Sequence, residues 1–214
     1  MKMKESFNDV FKGIQVNANK TKGHGVFPMI LDRIYTQMVN LQAYHSRITI
    51  VRIDLHFPTG HTTDNKLENS TLSQYIKKCK ADLGSKTWRS HNRFIHGWVK
   101  EIGKSGKAHY HLFFGFQTLH RNLGMISGDG HTGMWKVFES HWKELTGGSV
   151  QMIRPHFLER NDKQSFDACF YHLSYLAKIR DKHFGTGESY RRFGFSKLPP
   201  KKKELTILEE LMAA

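Results

Sequence analysis

The chain has 214 residues, with 33 Lys+Arg against 19 Asp+Glu, so its formal net charge is +14 before 14 histidines are considered. That length fits one domain of ordinary size, and 38% hydrophobic residues with 12% aromatics exclude a disordered tail. No apolar run approaches the ~18 residues of a spanning helix, and the opening MKMKESFNDVFKG has no apolar signal core. Cys79 and Cys169 are too few for a disulfide framework or a cysteine-built zinc site. The expectation is a cytoplasmic, reduced, basic protein with a polyanionic partner and no membrane. Charge alone does not separate an enzyme of nucleic acid from a passive binder.

Residues 1–27 are polar and weakly patterned, and read as an arm with one short helical turn. Pro28 opens a helix to about Tyr44, with Ile30, Ile34, Met38 and Leu41 at helical spacing. Residues 47–57, RITIVRIDLHF, read as a strand, with Val51, Ile53, Leu55 and Phe57 on one face and Arg52, Asp54 and His56 on the other. A helix follows over 66–83, with Leu72, Ile76, Cys79 and Leu83 as its stripe and Gly84 as its stop. Two short strands, 94–101 and 108–116, flank a Gly-Lys-Ser-Gly-Lys tip that predicts an antiparallel hairpin. A glycine-rich loop then leads to a helix over 134–145, and 149–157 suit a last strand whose Pro155 predicts an edge or bulged position. Residues 165–182 are the most regular helix, with Phe166, Phe170, Leu173 and Ala177 as its stripe.

After the first helix the order is β-α-β-β-α-β-α. This predicts an α+β fold of the ferredoxin-like split βαβ type, with an antiparallel sheet, helices packed on one face, the other face open, and a C-terminal helix bearing tyrosines. The division expected is an N-terminal arm and helix (1–46), a main domain (47–198) and a basic tail (199–214).

His109 and His111 are residues i and i+2 of one strand, so both imidazoles project from the same face. Two imidazoles so placed can share a divalent ion, or can simply be surface histidines in a His-rich chain. Glu101, across the hairpin, makes a three-ligand set for Mg²⁺ or Mn²⁺ that leaves positions open for phosphate oxygens. The alternative for Glu101 is a salt bridge with a nearby lysine. Asp54 and His56, on the neighbouring strand, are expected to support this set from behind or to bond one another.

Tyr171, Tyr175 and Lys178 share one side of the last helix. A phenol ionises near pH ~10, so a tyrosine nucleophile needs a polarised phosphate and a cation beside it. The competing reading, and the commoner one for such a pair, is packing of both rings against the sheet.

Together, H-x-H with an upstream carboxylate and a downstream Y-x-x-K resembles the HUH endonuclease superfamily. VRIDLHF, HYHLFF, YHLSYLAK and RRFGFSK, over about 47–196, are most similar to the filamentous-phage-type replication proteins of the YagK/YfjJ family. Tyr110 between the histidines departs mildly from the family's aliphatic residue. The resemblance implies metal-dependent nicking and joining of single-stranded DNA at an origin through a 5′-phosphotyrosine. Such an activity initiates rolling-circle replication of a phage, plasmid or integrated element. It implies His109, His111 and Glu101 as ligands of magnesium or manganese, Tyr175 as leading nucleophile, Lys178 stabilising charge, and Tyr171 as second nucleophile or support. No P-loop motif is present, so unwinding and synthesis would fall to a host helicase and polymerase.

Basic residues suggest a DNA path: Arg52, Lys100, Lys104 and Lys107 near the hairpin, then Arg191, Arg192, Lys197 and Lys201–Lys203 after the tyrosines. Trp98, Phe193 and Phe195 could stack bases, but such residues are more often core or rim packing, and none is taken as a site residue. Two alternatives stand beside nicking: a non-catalytic DNA-binding regulator on the same fold, and a small HUH transposase or relaxase.

Overall fold

The computed structural model describes residues 3–62, 64–88, 91–103, 107–119, 123–182 and 191–201, with Arg154 described by its backbone alone. The expected arm departs from expectation first. Instead of a helical turn it forms a hairpin of Val10–Phe11 (β1) and Ile14–Gln15 (β2), joined through Lys12 and Gly13 at φ 49° and 76°. Such a two-residue turn matches the strand twist. Ile14, Val16, Val26 and Phe27 are buried in the main core, which ties the segment down.

Helix α1 (Pro28–Tyr44) has Pro28 in its first turn and buries Ile30, Leu31, Ile34, Met38 and Leu41. The long strand β3 (Arg47–His56) follows. Helix α2 (Asn65–Leu83) is capped by Asp64, whose carboxylate accepts from the backbone N–H of Lys66 and Leu67, both at 3.0 Å. The hairpin forms as expected from β4 (Ile95–Ile102) and β5 (Ala108–Gln117); Lys104, at its tip, lies outside the described residues. Helix α3 (Gly133–Thr146) stops at Gly147, which takes the left-handed conformation at φ 70°. Strand β6 (Ser149–Glu159), helix α4 (Lys163–Leu173) and a short β7 (Phe193–Phe195) complete the order.

The five-stranded sheet runs β6-β3-β5-β4-β7, with every neighbouring pair antiparallel. β6 lies at an edge, and its register slips opposite Ile50 and Arg52, where Pro155 has no N–H to give. The fold is thus α+β, with an antiparallel sheet and, among the described residues, four α-helices.

The sheet is not open on one face, and here the expectation is corrected. Val51, Ile53, Leu55, Tyr110, Leu112, Phe114 and Phe116 pack with α2 and α3 on one side. Ile48, Ile50, Ile95, Val99, Phe113 and Leu158 pack with α1 and α4 on the other. The reason lies in β3 itself. Its second face starts apolar, at Ile48 and Ile50, and becomes polar at Arg52, Asp54 and His56. Only that polar end is free of helix stripes.

The last helix is also shorter than expected. α4 ends at Leu173, Ser174–Ala177 form a 3₁₀ turn, and Lys178 is extended at φ −56° and ψ 140°. The N-terminal segment pulls the chain out of the helix: Phe27 N–H donates to Ala177 at 2.8 Å and Ile179 N–H to Gly25 at 3.0 Å. Among the described residues, no helix is long and apolar enough to cross a membrane.

Candidate metal and tyrosine site

Strand register assembles the polar end of the second face. Glu101 of β4 lies directly opposite His109 of β5, while Asp54 and His56 of β3 lie opposite His111 and His109. Glu101, His109 and His111 each offer a donor atom within 4.8 Å of the other two, as the hairpin and the i, i+2 spacing predict. Glu101 Oε2 is 3.1 Å from His111 Nε2 and 3.4 Å from His109 Nε2.

His111 is held from behind. Its Nδ1 lies 2.7 Å from Asp54 Oδ1 and 3.2 Å from an Arg52 nitrogen, and these two contacts imply opposite tautomers. The shorter contact, to a group that can only accept, puts the proton on Nδ1. Arg52 is itself bidentate to Asp54, at 3.0 and 3.2 Å. Nε2 is then the lone-pair nitrogen, and it is buried without a hydrogen bond although Glu101 is within ion-pair distance. An unsatisfied buried acceptor facing an imidazole and a carboxylate fits a divalent cation.

The charges follow this geometry. Burial raises the Glu101 pKa, but the two neighbouring imidazoles and the Lys182 charge outweigh it and hold the carboxyl far below its usual range. Burial lowers the His111 pKa, and Asp54 and Glu101 more than offset this, leaving it raised. Asp54 is held low by His111 and Arg52 against the opposing effect of burial. His56 stacks on His109 at 5.5 Å and does not bond Asp54; burial and the His109 charge lower its pKa.

One residue at the site is absent from the sequence reading. Lys182 is buried and donates to Glu101 Oε1. A lone lysine 81 residues away carries no local signal. It is the salt bridge weighed as the alternative for Glu101, yet it occupies the oxygen that does not face the imidazoles.

Tyr175, in the 3₁₀ turn, reaches this cluster. Its ring meets His111 edge-on at 5.1 Å, with the Arg52 guanidinium 4.5 Å and the Lys178 ammonium 4.4 Å from the ring centroid. Burial and the Glu101 carboxylate raise its pKa, and burial and Arg180 lower that of Lys178. Tyr171 stays on α4 and is 43% exposed; among the described residues no contact joins its side chain to the triad. The tighter turn after Leu173 separates the two rings that an unbroken helix would have aligned.

The basic residues disperse. Arg52 is buried under Tyr175 and is no open DNA contact. Lys100 points to the opposite face and is fully buried against Glu68 and Asn65, so it does not belong to the hairpin surface. Lys107 is exposed and lines a cavity of about 280 Å³ with His56, Phe57, His61 and His109. Arg191 is exposed and Arg192 half-buried beside β4, where Arg192 O accepts from Lys100 N–H at 2.8 Å. Lys202 and Lys203 lie outside the described residues. Phe193 and Phe195 are half-buried packing residues of β7.

A family model described as the YagK/YfjJ C-terminal domain matches residues 9–196. An uncharacterized protein YagK of Escherichia coli (strain K12) is 28% identical over 179 residues, covering 72% of this chain and 85% of that protein. Its uncharacterized counterpart YfjJ is 26% identical over 195 residues, covering 78% and 92%. No solved structure matches.

Proposed function

The chain belongs to the YagK/YfjJ C-terminal domain family, and we propose that it is a metal-dependent HUH-type endonuclease that nicks and rejoins single-stranded DNA at an origin of rolling-circle replication. The observation that carries this reading is Tyr175 packed on His111, with Glu101 and His109 completing a three-donor set. The order β6-β3-β5-β4, with α2 and α3 as crossovers, supports a ferredoxin-like split βαβ arrangement.

A divalent ion such as Mg²⁺ or Mn²⁺, held by Glu101, His109 and His111, would supply Lewis-acid polarisation of the scissile phosphate. The side chains account for the rest. Tyr175 Oη attacks phosphorus, a Tyr–O–P bond forms, and the P–O3′ bond breaks. The phenolic proton passes from Tyr175 to solvent water, and the departing 3′ oxygen takes up one proton from solvent, so the step is proton-neutral. Lys178 and Arg52, both on the ring, favour the developing phenolate. Attack by a 3′-OH on the phosphotyrosine reverses the step and joins ends.

The deciding experiment incubates the full chain with Mn²⁺ and a library of single-stranded oligonucleotides, then identifies the adduct by mass spectrometry. The expected result is a tyrosine–DNA adduct at Tyr175 that is lost in Tyr175→Phe. Wild-type cleavage by His109→Ala and His111→Ala together would remove the metal assignment.

The Lys182–Glu101 pair favours a second reading, a DNA-binding regulator in which the triad is only a buried ion network. Binding of several single strands with no adduct to any of them would support it. A small transposase or relaxase of the same type differs in substrate, which the adduct sequence would identify.

A further inference from the structure

Away from the triad, on the other side of the sheet, a groove of about 1050 Å³ runs between α2 and the β4–β7 edge. From α2 it is lined by Lys66, Asn69, Ser70, Ser73, Lys77 and Lys80, which recur at helical spacing on one face. That face extends over about 20 Å of helix. Arg191 stands on the opposite wall. All four cations are exposed, and among the described residues none pairs with a carboxylate. The acid lining the groove, Asp64, is already used as the α2 cap. Lys66 sits in the first turn of α2, where the helix dipole disfavours a cation, so helix stability does not account for it. Trp98 and Phe195 add aromatic edges to the lining.

We propose that this groove binds single-stranded DNA flanking the nick, with Lys77 and Lys80 holding phosphates at one end, Lys66 at the other and Arg191 from the facing wall. Cations along one stripe with no carboxylate partner among the described residues, Lys80 resting on the Phe94 ring, match a linear polyanion. Trp98 is 7% exposed and Phe195 packs against the core, so the choice of a single strand over a duplex follows from the nicking reading and not from stacking in the groove. Arg191 connects the two sites. It precedes β7, which pairs with β4 as far as Val99, two residues from Glu101. A strand leaving the triad over this edge enters the groove there. The proposal rests on the nicking reading for its biological sense but not for its test.

That test measures binding of a fluorescein-labelled dT oligonucleotide to the full chain in EDTA, so no cleavage contributes. The triple variant Lys66→Ala/Lys77→Ala/Lys80→Ala alters only exposed side chains, and its fold is checked by thermal melting. The expected result is at least tenfold weaker dT binding, with a salt slope shallower by about 2, at ~0.7 per lost phosphate contact. Unchanged affinity and slope overturn the proposal. Loss of binding to a duplex hairpin of equal length with dT binding retained overturns the single-strand assignment. A protein that never nicks but loses dT binding in this variant would sink the nicking reading and leave the groove standing. One that nicks while the slope stays constant does the reverse.

Discussion

Asp54 accepts from Nδ1 of His111 at 2.7 Å, and this contact decides which ring nitrogen faces Glu101. A metal-binding imidazole oriented by a carboxylate loses affinity when the carboxylate is neutralised, typically ~10–100-fold. Asp54→Asn is therefore expected to weaken Mn²⁺ binding by about that factor. Isothermal titration calorimetry with the chloride salt reads it directly. Affinity equal to wild type would mean that His111 is not a ligand through Nε2.

Lys100 and Glu68 form a fully buried ion pair, joined by Asn65 and by His61, which lies 3.0 Å from the other Glu68 oxygen. Removing one member leaves an uncompensated charge, so Glu68→Ala should cost about 3–5 kcal/mol in urea unfolding. Replacing both, as Glu68→Leu with Lys100→Met, should recover most of that loss. DNA affinity should not follow Lys100 separately from stability. A stable Lys100→Met variant with a markedly shallower salt slope would contradict its burial.

The same strand illustrates what was legible in the sequence. Alternation along β4 sends Lys100 and Glu101 to opposite faces, so one lysine of the expected DNA path was already placed inward by its own strand assignment. Alternation on β3 and β5, with a short hairpin between β4 and β5, likewise suffices to bring Glu101, His109, His111 and Asp54 together. Lys182 has no such local pattern, because its partner is chosen by tertiary packing across 81 residues. The 3₁₀ turn that carries Tyr175 was hidden for a similar reason. The residues that end α4 early, Gly25 and Phe27, lie far upstream in the chain and bond Ile179 and Ala177 through backbone atoms. Cover of the second face was half legible, since Ile48 and Ile50 already required a partner there.

His96 gives a pH dependence of stability. Burial, aided by the Lys80 charge, lowers its pKa from 6.5 to about 4, and its Nδ1 is buried without a hydrogen bond. A histidine depressed in the folded state stays neutral there while the unfolded chain takes up a proton. Stability is thus fully present above pH 6.5 and is lost as pH falls from 6.5 toward 4. By pH 5 the loss from this group is about 2 kcal/mol, at ~1.4 kcal/mol per pH unit. Urea midpoints measured at pH 7.5 and 5.0 should converge in His96→Gln relative to wild type. Equal pH sensitivity in both proteins would assign the loss elsewhere.

Lys182 separates the two readings of the triad. Its ammonium sits on Glu101 Oε1, and burial lowers its pKa while Glu101 opposes that effect. Truncation to Met removes the cation and leaves Glu101 charged beside two imidazoles. If the cluster is a metal site, a second cation near Glu101 repels the ion, so Lys182→Met should bind Mn²⁺ more tightly. The variant should melt lower than wild type in EDTA, because Glu101 loses a buried partner. Added Mn²⁺ should restore it, since a ligand that binds only the folded state stabilises by about 2.7 kcal/mol at a hundredfold excess over Kd. If the cluster is an ion network alone, Lys182→Met melts lower and Mn²⁺ at millimolar concentration moves neither protein. The sign and size of that Mn²⁺-dependent shift in Tm, measured without any DNA, discriminate a metal centre from a structural ion pair.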